Sequence, residues 1–389
     1  MFERVLQHFL HPMVNAATGF LDEVEELNRL QWANRELIEK RLFTRLKFTI
    51  EHAYEHFRFY RARFKSVGMK PSDIKTLEDF RRVPVITKKE LSEALESEGT
   101  LRRLWGGTLT STGGTTGTPL AFLISRDAGT AGLVSKIFFD SWIGVGACER
   151  KFSSWTKTSF KDRWFLNELE ATSVSIIRNP EEVFKKLSRF GPQLIGGNVA
   201  LRVLASFLVK NGLRLDGEVK GVAAWGIPLV AHHTKIMSEA FCDNIYDRYG
   251  SAELSGAVAQ QCVEKRGLHV NSDLSLIEVI KDGEPCSNGE RGKLVVTNLR
   301  NLATPFVRYE QEDTAVRLDD CACGRHLPLI ADVEGKDPSF FEMEGGVEIP
   351  RATLDSLFPS VRNLPIVYFY RSSPSRDLIF ALWKSFGSV

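Results

Sequence analysis

The sequence predicts an α/β fold, with mixed and largely parallel sheets and flanking helices. Three observations predict it. Strand and helix signals alternate from residue 125 to residue 215, the pattern of parallel strands joined by crossover helices. A glycine- and hydroxyl-rich stretch, Ser111 to Pro119, lies between the apolar runs Leu101 to Leu109 and Leu120 to Ile124, and reads as strand, tight loop, strand. Further along, Ser275 to Lys281 and Gly292 to Asn298 read as partner strands, with Asp282-Gly283 supplying turn chemistry.

The elements follow in chain order. Residues 1 to about 60 read as helical, because Leu27, Leu30, Trp32, Leu37, Leu42, Leu46 and Phe48 recur at roughly helical spacing among Glu, Arg and Lys. His52, His56 and Tyr60 continue that segment, where packing is the better reading than catalysis. Gly68 to Ile74 is a loop. Thr76 caps a short helix over Leu77-Glu78-Asp79-Phe80, and Thr87, ending the extended Val83 to Lys88, caps the next. Asp127 to Trp142 and Pro180 to Phe190 are helices, the second with Glu181 and Glu182 in its first turn, where the helix dipole favours them. Leu194 to Asn198 ends a short buried strand and enters a helix running to Lys210. Val219 to Trp225 is a strand broken by Gly226-Ile227-Pro228. His232 and His233 open the helix after it, in surface or packing roles.

Composition bounds the function. The chain has 389 residues, 43% hydrophobic and 26% charged, with a net charge of +2. That fits a soluble globular protein of one large domain or two to three smaller ones. There are basic spots such as Arg102-Arg103 but no basic tract, so neither a nucleic-acid nor a membrane partner is expected. No apolar run reaches the roughly 18 residues of a membrane span; Leu194 to Val209 is interrupted by Asn198 and Arg202. The start of the chain lacks a secretory pattern, so a cytoplasmic location is expected. Cys148, Cys242, Cys262, Cys286, Cys321 and Cys323 then read as thiols or metal ligands rather than a disulfide framework.

Four constellations carry chemistry. Ser111 to Pro119 puts three glycines and five hydroxyls into nine residues. Successive backbone N–H groups in such a turn make an anion-binding concavity, and threonine hydroxyls add donors. It is not a Walker A element, since no lysine follows the last glycine; an ordinary hairpin turn is the alternative. Asn244 to Glu253 ends in Tyr249-Gly250-Ser251-Ala252-Glu253: a ring face for a nucleobase, a glycine for close approach, and a hard carboxylate for Mg²⁺. Ala303 to Asp313 contains Thr304-Pro305-Phe306-Val307-Arg308-Tyr309 followed by Asp313. Cys262, His269, Cys321 and Cys323 supply three thiolates and an imidazole, a closed tetrahedral set for structural Zn²⁺; four unrelated groups are the alternative. Cys148, Cys242 and Cys286 have no partner spacing.

Phe59-Tyr60-Arg61, Leu77 to Phe80 and Pro84-Val85-Ile86-Thr87-Lys88, leading to the Thr/Gly loop, resemble phenylacetate–CoA ligases of the adenylate-forming superfamily. Tyr249 to Glu253 resembles that superfamily's aromatic-Gly-x-Thr-Glu motif, with Ala252 where Thr is common. Thr304 to Tyr309 with Asp313 resembles its Thr-Pro-x-x-Arg-Tyr, three residues, Asp. The resemblance runs from about residue 40 to 360. It implies an N-terminal AMP-binding domain over 1–333 and a shortened C-terminal α+β subdomain over 334–389.

It also implies roles. Ser111, Thr112, Gly113, Gly114, Thr115, Thr116 and Gly117 would cradle the β- and γ-phosphates of ATP, with Thr115, Thr116 and Glu253 as the catalytic set. Tyr249, Gly250, Ser251, Ala252 and Glu253 would hold adenosine and Mg²⁺. Asp313 would accept from both ribose hydroxyls, while Arg308 orients its segment. Trp225 and Gly226 fall at a nucleobase-contacting loop, although Trp225 reads equally as a core aromatic. Arg325 is counted in the same nucleotide-binding set. The region that includes 194–210 forms part of the acid-substrate pocket in the resembled family; an aryl pocket would be lined by residues of 130–230, where Phe138, Phe139, Trp142, Trp155 and Phe160 supply aromatics. Some relatives carry the Cys/His/Cys/Cys set, and zinc there would pin the loop after Asp313 to the segment after Glu253.

The implied reaction joins a carboxylic acid, aromatic by resemblance, to AMP, then passes the acyl group to coenzyme A. A carrier protein or an amine is an alternative acceptor, a non-catalytic nucleotide-binding homologue an alternative to the enzyme, and a homodimer a possible assembly. One motif departs. Where relatives have a Gly-Arg-x-Asp hinge, this chain has Gly335-Lys336-Asp337-Pro338. Lysine lacks arginine's bidentate fork, and proline limits the rotation a hinge needs. Lys384 is the only lysine after Lys336 to stand for the late lysine of the resembled family.

Overall fold

The structure, a computed structural model, describes residues 19–98, 107–112, 120–155, 167–215, 217–226 and 229–335, together with the backbone of four strands in 340–382. Contacts divide the chain into two compact units, Met1–Trp142 with Arg248–Val333, and Ile143–Asp247 with Glu334–Val389. The strands in chain order are β1 (Gly107–Ser111), β2 (Ala121–Ser125), β3 (Lys151–Trp155), β4 (Glu168–Thr172), β5 (Leu194–Gly197), β6 (Gly221–Trp225) and β7 (Ile245–Ser251). They continue with β8 (Gly256–Gln261), β9 (Leu268–Val270), β10 (Ser275–Lys281), β11 (Glu284–Pro285), β12 (Arg291–Asn298), β13 (Tyr309–Leu318) and β14 (Leu329–Glu334).

In the first unit the N-terminal segment is broken into helices over 19–30, Arg35–His56 and Arg58–Ser66 rather than running continuously. The physical reason is Asn34, whose side chain accepts from the Leu37 N–H and so starts a new helix. The buried stripe of the second helix is Ile38, Leu42, Leu46, Ile50 and Ala53. Trp32, Leu37 and Phe48, expected on that stripe, are instead half exposed, at 51%, 53% and 59%. His52 and Tyr60 pack as expected: His52 Nε2 meets the Leu302 carbonyl at 3.0 Å and the Tyr60 hydroxyl donates to the Pro305 carbonyl at 2.6 Å. Thr76 with Asp79, and Thr87 with Glu90, form reciprocal caps, as the sequence predicts.

The sheet of the first unit runs β11-β10-β12-β13-β14-β9-β8-β7. Its registered pairs are antiparallel; short connections join β7 to β8, β8 to β9 and β10 to β11, whereas β9 and β14 come together from distant parts of the chain. Asp282 and Gly283 both adopt positive φ, 53° and 89°, as a two-residue hairpin requires. That turn closes onto β11, and β12 pairs on the other edge of β10. A separate antiparallel ribbon joins β1 to β2.

The expected parallel sheet belongs to the second unit, where β6-β5-β3-β4 pair in parallel. Helices Pro180–Phe190 and Val199–Lys210 supply the crossovers and enclose an apolar core that includes Phe152, Leu187, Leu204 and Val222. Beyond residue 335 the described backbone forms two antiparallel hairpins, Phe340–Glu342 with Glu348–Pro350 and Val367–Arg371 with Leu378–Leu382. Lys336, Asp337, Pro338 and Lys384 lie outside the described residues. Among the described residues no helix is long and apolar enough to cross a membrane.

Candidate functional site

The β1–β2 ribbon flanks the glycine/hydroxyl stretch with a strand on either side. Ser111 ends β1. Thr112 closes the base of the loop: its N–H donates to the Leu120 carbonyl at 3.0 Å, and its hydroxyl accepts from the Leu120 N–H at 3.1 Å. Gly113, Gly114, Thr115, Thr116 and Gly117 lie outside the described residues.

Tyr249 and Asp313, 64 residues apart in sequence, meet directly: the tyrosine hydroxyl donates to Asp313 Oδ2 at 2.6 Å. Burial, then the charge of Asp313, holds the phenol well above its usual range, so it stays a donor. Gly250 sits at a register shift between β7 and β8, where a Cβ would lie 2.1 Å from the Gly256 carbonyl oxygen; close backbone approach explains the glycine. Ser251 ends β7, and its hydroxyl accepts from the Leu254 N–H at 3.3 Å. Ala252 packs at the edge of the core that includes Leu254. Glu253 is 5% exposed. Burial raises the Tyr309 phenol, and the charges of Glu253, Glu312 and Asp313 raise it further.

Strained backbone gathers here. Ser255, Arg308 and Glu312 adopt positive φ of 64°, 47° and 63°, each at a cost of about 1 kcal/mol that the surroundings must offset. Arg308 shows how. Its Nε and Nη2 pair with both oxygens of Glu278 at 3.1 Å, and its Nη1 donates to the carbonyls of Arg81 and, at 2.7 Å, Val83. Its own carbonyl accepts from the Ile86 N–H at 2.9 Å. Arg308 therefore fastens the Pro84 to Lys88 segment to the strand bearing Asp313, an orienting contact as expected.

Two groups of this neighbourhood escaped the sequence reading. Arg248, directly before Tyr249, is 3% exposed and pairs with the fully buried Asp140 at 2.8 Å; Lys136 reaches the same carboxylate at 3.3 Å. Charged residues inside the apolar face of helix Arg126–Trp142 were the available signal. Glu312 was the other, with no signal beyond its place before Asp313. Phe138, Phe139 and Trp142, expected as pocket aromatics, form a mutually packed cluster with centroids 5.1 to 5.2 Å apart. Phe138 and Phe139 are 1% and 0% exposed, so they belong to the core.

Trp225 ends β6 in the second unit, and Gly226 follows it. The Trp225 ring lies over Gly196, where a Cβ would come within 2.8 Å of it, and Gly226 turns the chain at φ 80°. Trp155 ends β3, and Phe160 lies outside the described residues.

Cys262, His269, Cys321 and Cys323 come together with all ligand atoms within 4.8 Å of one another. Cys262 Sγ to Cys321 Sγ is 3.5 Å, and Cys323 Sγ to His269 Nε2 is 3.3 Å. With Zn–S near 2.3 Å and Zn–N near 2.0 Å, tetrahedral edges of about 3.5 to 3.8 Å follow, so the donor set fits zinc. Burial, then the charge of Arg325, lowers the His269 imidazole to about 4, keeping it neutral as a ligand must be. Burial pushes the Cys262 thiol up to about 12. The Cys323 thiol is lowered, because hydrogen bonds from the Arg325 backbone and side chain outweigh its burial. Arg325 itself lies between two indoles, 4.6 Å from the Trp32 centroid and 4.2 Å from that of Trp142, and donates to Gln31 at 2.7 Å. These contacts hold the cysteine loop against the N-terminal helices.

Comparison with known proteins agrees with the fold. The chain is 25% identical to a phenylacetate-coenzyme A ligase of Escherichia coli (strain K12), across 91% of this chain and 81% of that protein. It is 25% identical to a phenylacetate-coenzyme A ligase of Thermus thermophilus, across 77% and 71%. A crystal structure of 2-hydroxyisobutyryl-CoA ligase, in the postadenylation state in complex with 2-HIB-AMP, superposes with a TM-score of 0.76 at 20% identity, covering 91% of this chain and 80% of that one. No family model matches the chain. The fold is that of the CoA ligases, and the resemblance to the phenylacetate–CoA ligase-like group of the adenylate-forming superfamily extends over nearly the whole chain.

Proposed function

We propose that this chain activates a carboxylic acid with Mg·ATP, forming an acyl-adenylate and pyrophosphate, and then passes the acyl group to coenzyme A. The observation that carries the reading is the Tyr249–Asp313 hydrogen bond, which joins two separate motifs at one point. Asp313 accepts the ribose hydroxyls, and Tyr249 fixes that carboxylate while offering its ring to the base. Thr115, Thr116 and the backbone N–H groups of 113–117 hold the leaving phosphates. Glu253 holds Mg²⁺, which when bound neutralises charge on the transferring phosphate. The substrate carboxylate attacks the α-phosphorus, the bond to the bridging oxygen breaks, and pyrophosphate leaves. Catalysis is positioning plus preorganised electrostatics. The thiol of coenzyme A then displaces AMP.

The names of the relatives support an aryl acid. The Cys262, His269, Cys321 and Cys323 set holds a structural zinc, braced by Arg325. Assembly as a homodimer and a cytoplasmic location complete the proposal, the latter because free thiolate ligands persist in a reducing compartment. The Gly335-Lys336-Asp337-Pro338 sequence favours a second reading, in which a carrier protein or an amine replaces coenzyme A.

The test is pyrophosphate release from the full chain with Mg·ATP over a panel of aryl and aliphatic acids, with and without coenzyme A. Acid-dependent release with an acyl–coenzyme A product supports both steps. Acid-dependent release without thioester supports the second reading. ATP binding with no pyrophosphate from any acid rejects catalysis and leaves a nucleotide-binding homologue.

A further inference from the structure

One buried turn, residues 298–304, ties together two parts of the candidate site that lie far apart in sequence. Asn298, Asn301 and Thr304 are each 0% exposed. Asn298 Nδ2 donates to the Glu253 carbonyl at 2.9 Å and to the Ser255 hydroxyl at 3.1 Å. Its Oδ1 accepts from the N–H groups of Arg300 and Asn301, both at 2.9 Å, which shapes the turn itself. Asn301 faces the opposite way. Its Oδ1 accepts from the Ser125 N–H at 3.0 Å, and its Nδ2 donates to the Leu123 carbonyl at 2.9 Å. Thr304 adds an acceptor for the Leu123 N–H at 3.1 Å. The Asn301 amide thus pairs with the free edge of β2 as a neighbouring strand would. Arg300, between the two asparagines, pairs with both oxygens of Asp127 at 2.8 and 2.9 Å, in the first turn of the helix that follows β2.

We infer that Asn298 and Asn301 are positioning residues that hold the Glu253 loop and strand β2 in fixed register, so that the metal-binding carboxylate and the ribbon bearing the phosphate loop meet ATP as one unit. Neither residue is assigned contact with substrate. Every polar atom of the two amides is used, Asn298 Oδ1 within the turn and the others between elements, and a buried amide that loses its partners costs more than it gained. The two residues are linked through the turn, since Asn298 Oδ1 accepts from the Asn301 backbone N–H. Loosening one must therefore loosen what the other holds. The functional part of this inference rests on the proposed adenylation; the coupling does not.

The experiment uses the full chain as wild type, Asn298→Asp and Asn301→Ala. Asn298→Asp keeps the two accepted bonds and loses the two donated to the Glu253 loop. Backbone hydrogen exchange is followed at 120–125 and 250–256 without ligand, and the Mg²⁺ midpoint for pyrophosphate release is measured with ATP and acid saturating. Faster exchange in both segments for both variants is expected, although each amide touches only one of them. The Mg²⁺ midpoint rises about tenfold in Asn298→Asp, the scale of one or two lost buried hydrogen bonds, with the KM for acid unchanged. Exchange confined to the segment each residue touches overturns the coupling. Equal shifts in Mg²⁺ midpoint and acid KM reduce the pair to general stability and overturn the positioning role. A wild type that releases no pyrophosphate rejects the adenylation reading instead, while the exchange measurements still decide the coupling.

Discussion

Replacing Asp313 with asparagine changes one atom and one charge at the centre of the candidate site. The carboxylate offers about four acceptor positions, and the Tyr249 hydroxyl uses one of them. Asparagine keeps one oxygen, which can still accept from Tyr249, but its NH₂ confronts the second ribose hydroxyl with a donor. The loss is one hydrogen bond to a charged group, about 1.5–3 kcal/mol. At 1.4 kcal/mol per factor of ten, the KM for ATP rises about 10- to 150-fold. The KM for the acid stays near wild type, because the variant keeps the Tyr249 contact and the acid does not touch this residue. Thermal stability falls by only a few degrees for the same reason. Initial rates of pyrophosphate release, with each substrate varied in turn, decide it. A KM for ATP within twofold of wild type would refute the assignment of Asp313 to the nucleotide, and so would equal shifts for both substrates.

Three further outcomes follow from the geometry. Gly132→Ala adds about 1 kcal/mol of helix propensity to Arg126–Trp142, yet its Cβ would lie 1.9 Å from the Ser255 carbonyl oxygen. Overpacking of about 1–3 kcal/mol makes the variant less stable by urea denaturation, and a gain in stability would contradict that packing. Burial alone would raise the Asp273 carboxyl, but hydrogen bonds from Arg41 and Arg45 hold it below the usual range. The unfolded chain therefore takes up that proton first, so the stabilisation is complete above a pH of about 4 and is lost as pH falls through the depressed value. Asp273→Asn should be destabilised at neutral pH and converge on wild type in acid; a constant gap across denaturation curves from pH 7 to pH 3 would count against the ion pairs. Elemental analysis should find about one zinc per chain, lost in Cys262→Ser together with thermal stability. A metal-free wild type whose stability ignores both chelator and added zinc would remove the metal from the account.

Local signals carried much of this architecture. The caps at Thr76 and Thr87, the helix Pro180–Phe190 and the pairing of β1 with β2 each depend on residues close in sequence. The motifs around Tyr249, Glu253 and Asp313 were also legible, because short runs of unusual residue types mark them. What sequence could not supply was orientation across long separations. Trp32, Leu37 and Phe48 fit a helical period loosely, but Trp32 precedes the helix Arg35–His56 and the other two lie off its buried stripe. Phe138 and Phe139 looked like pocket residues because aromatic content says nothing about the side of a helix they occupy. Asn298 and Asn301 gave no periodic signal: their partners lie 43 to 178 residues away. Arg325 follows a cysteine pair and was counted with the nucleotide, yet stacks between two indoles whose arrival there depends on tertiary packing.

The central claim is that a substrate carboxylate attacks the α-phosphate of ATP in the site formed by Tyr249, Glu253 and Asp313. Its most direct test is the fate of oxygen-18 placed in the carboxylate of an acid that supports turnover. Attack at the α-phosphorus leaves one carboxylate oxygen on the phosphate, so AMP recovered after acyl transfer must carry a single label, and pyrophosphate none. Label in inorganic phosphate with ADP as the nucleotide product would place the attack on the γ-phosphate, and the adenylate-forming account would be wrong.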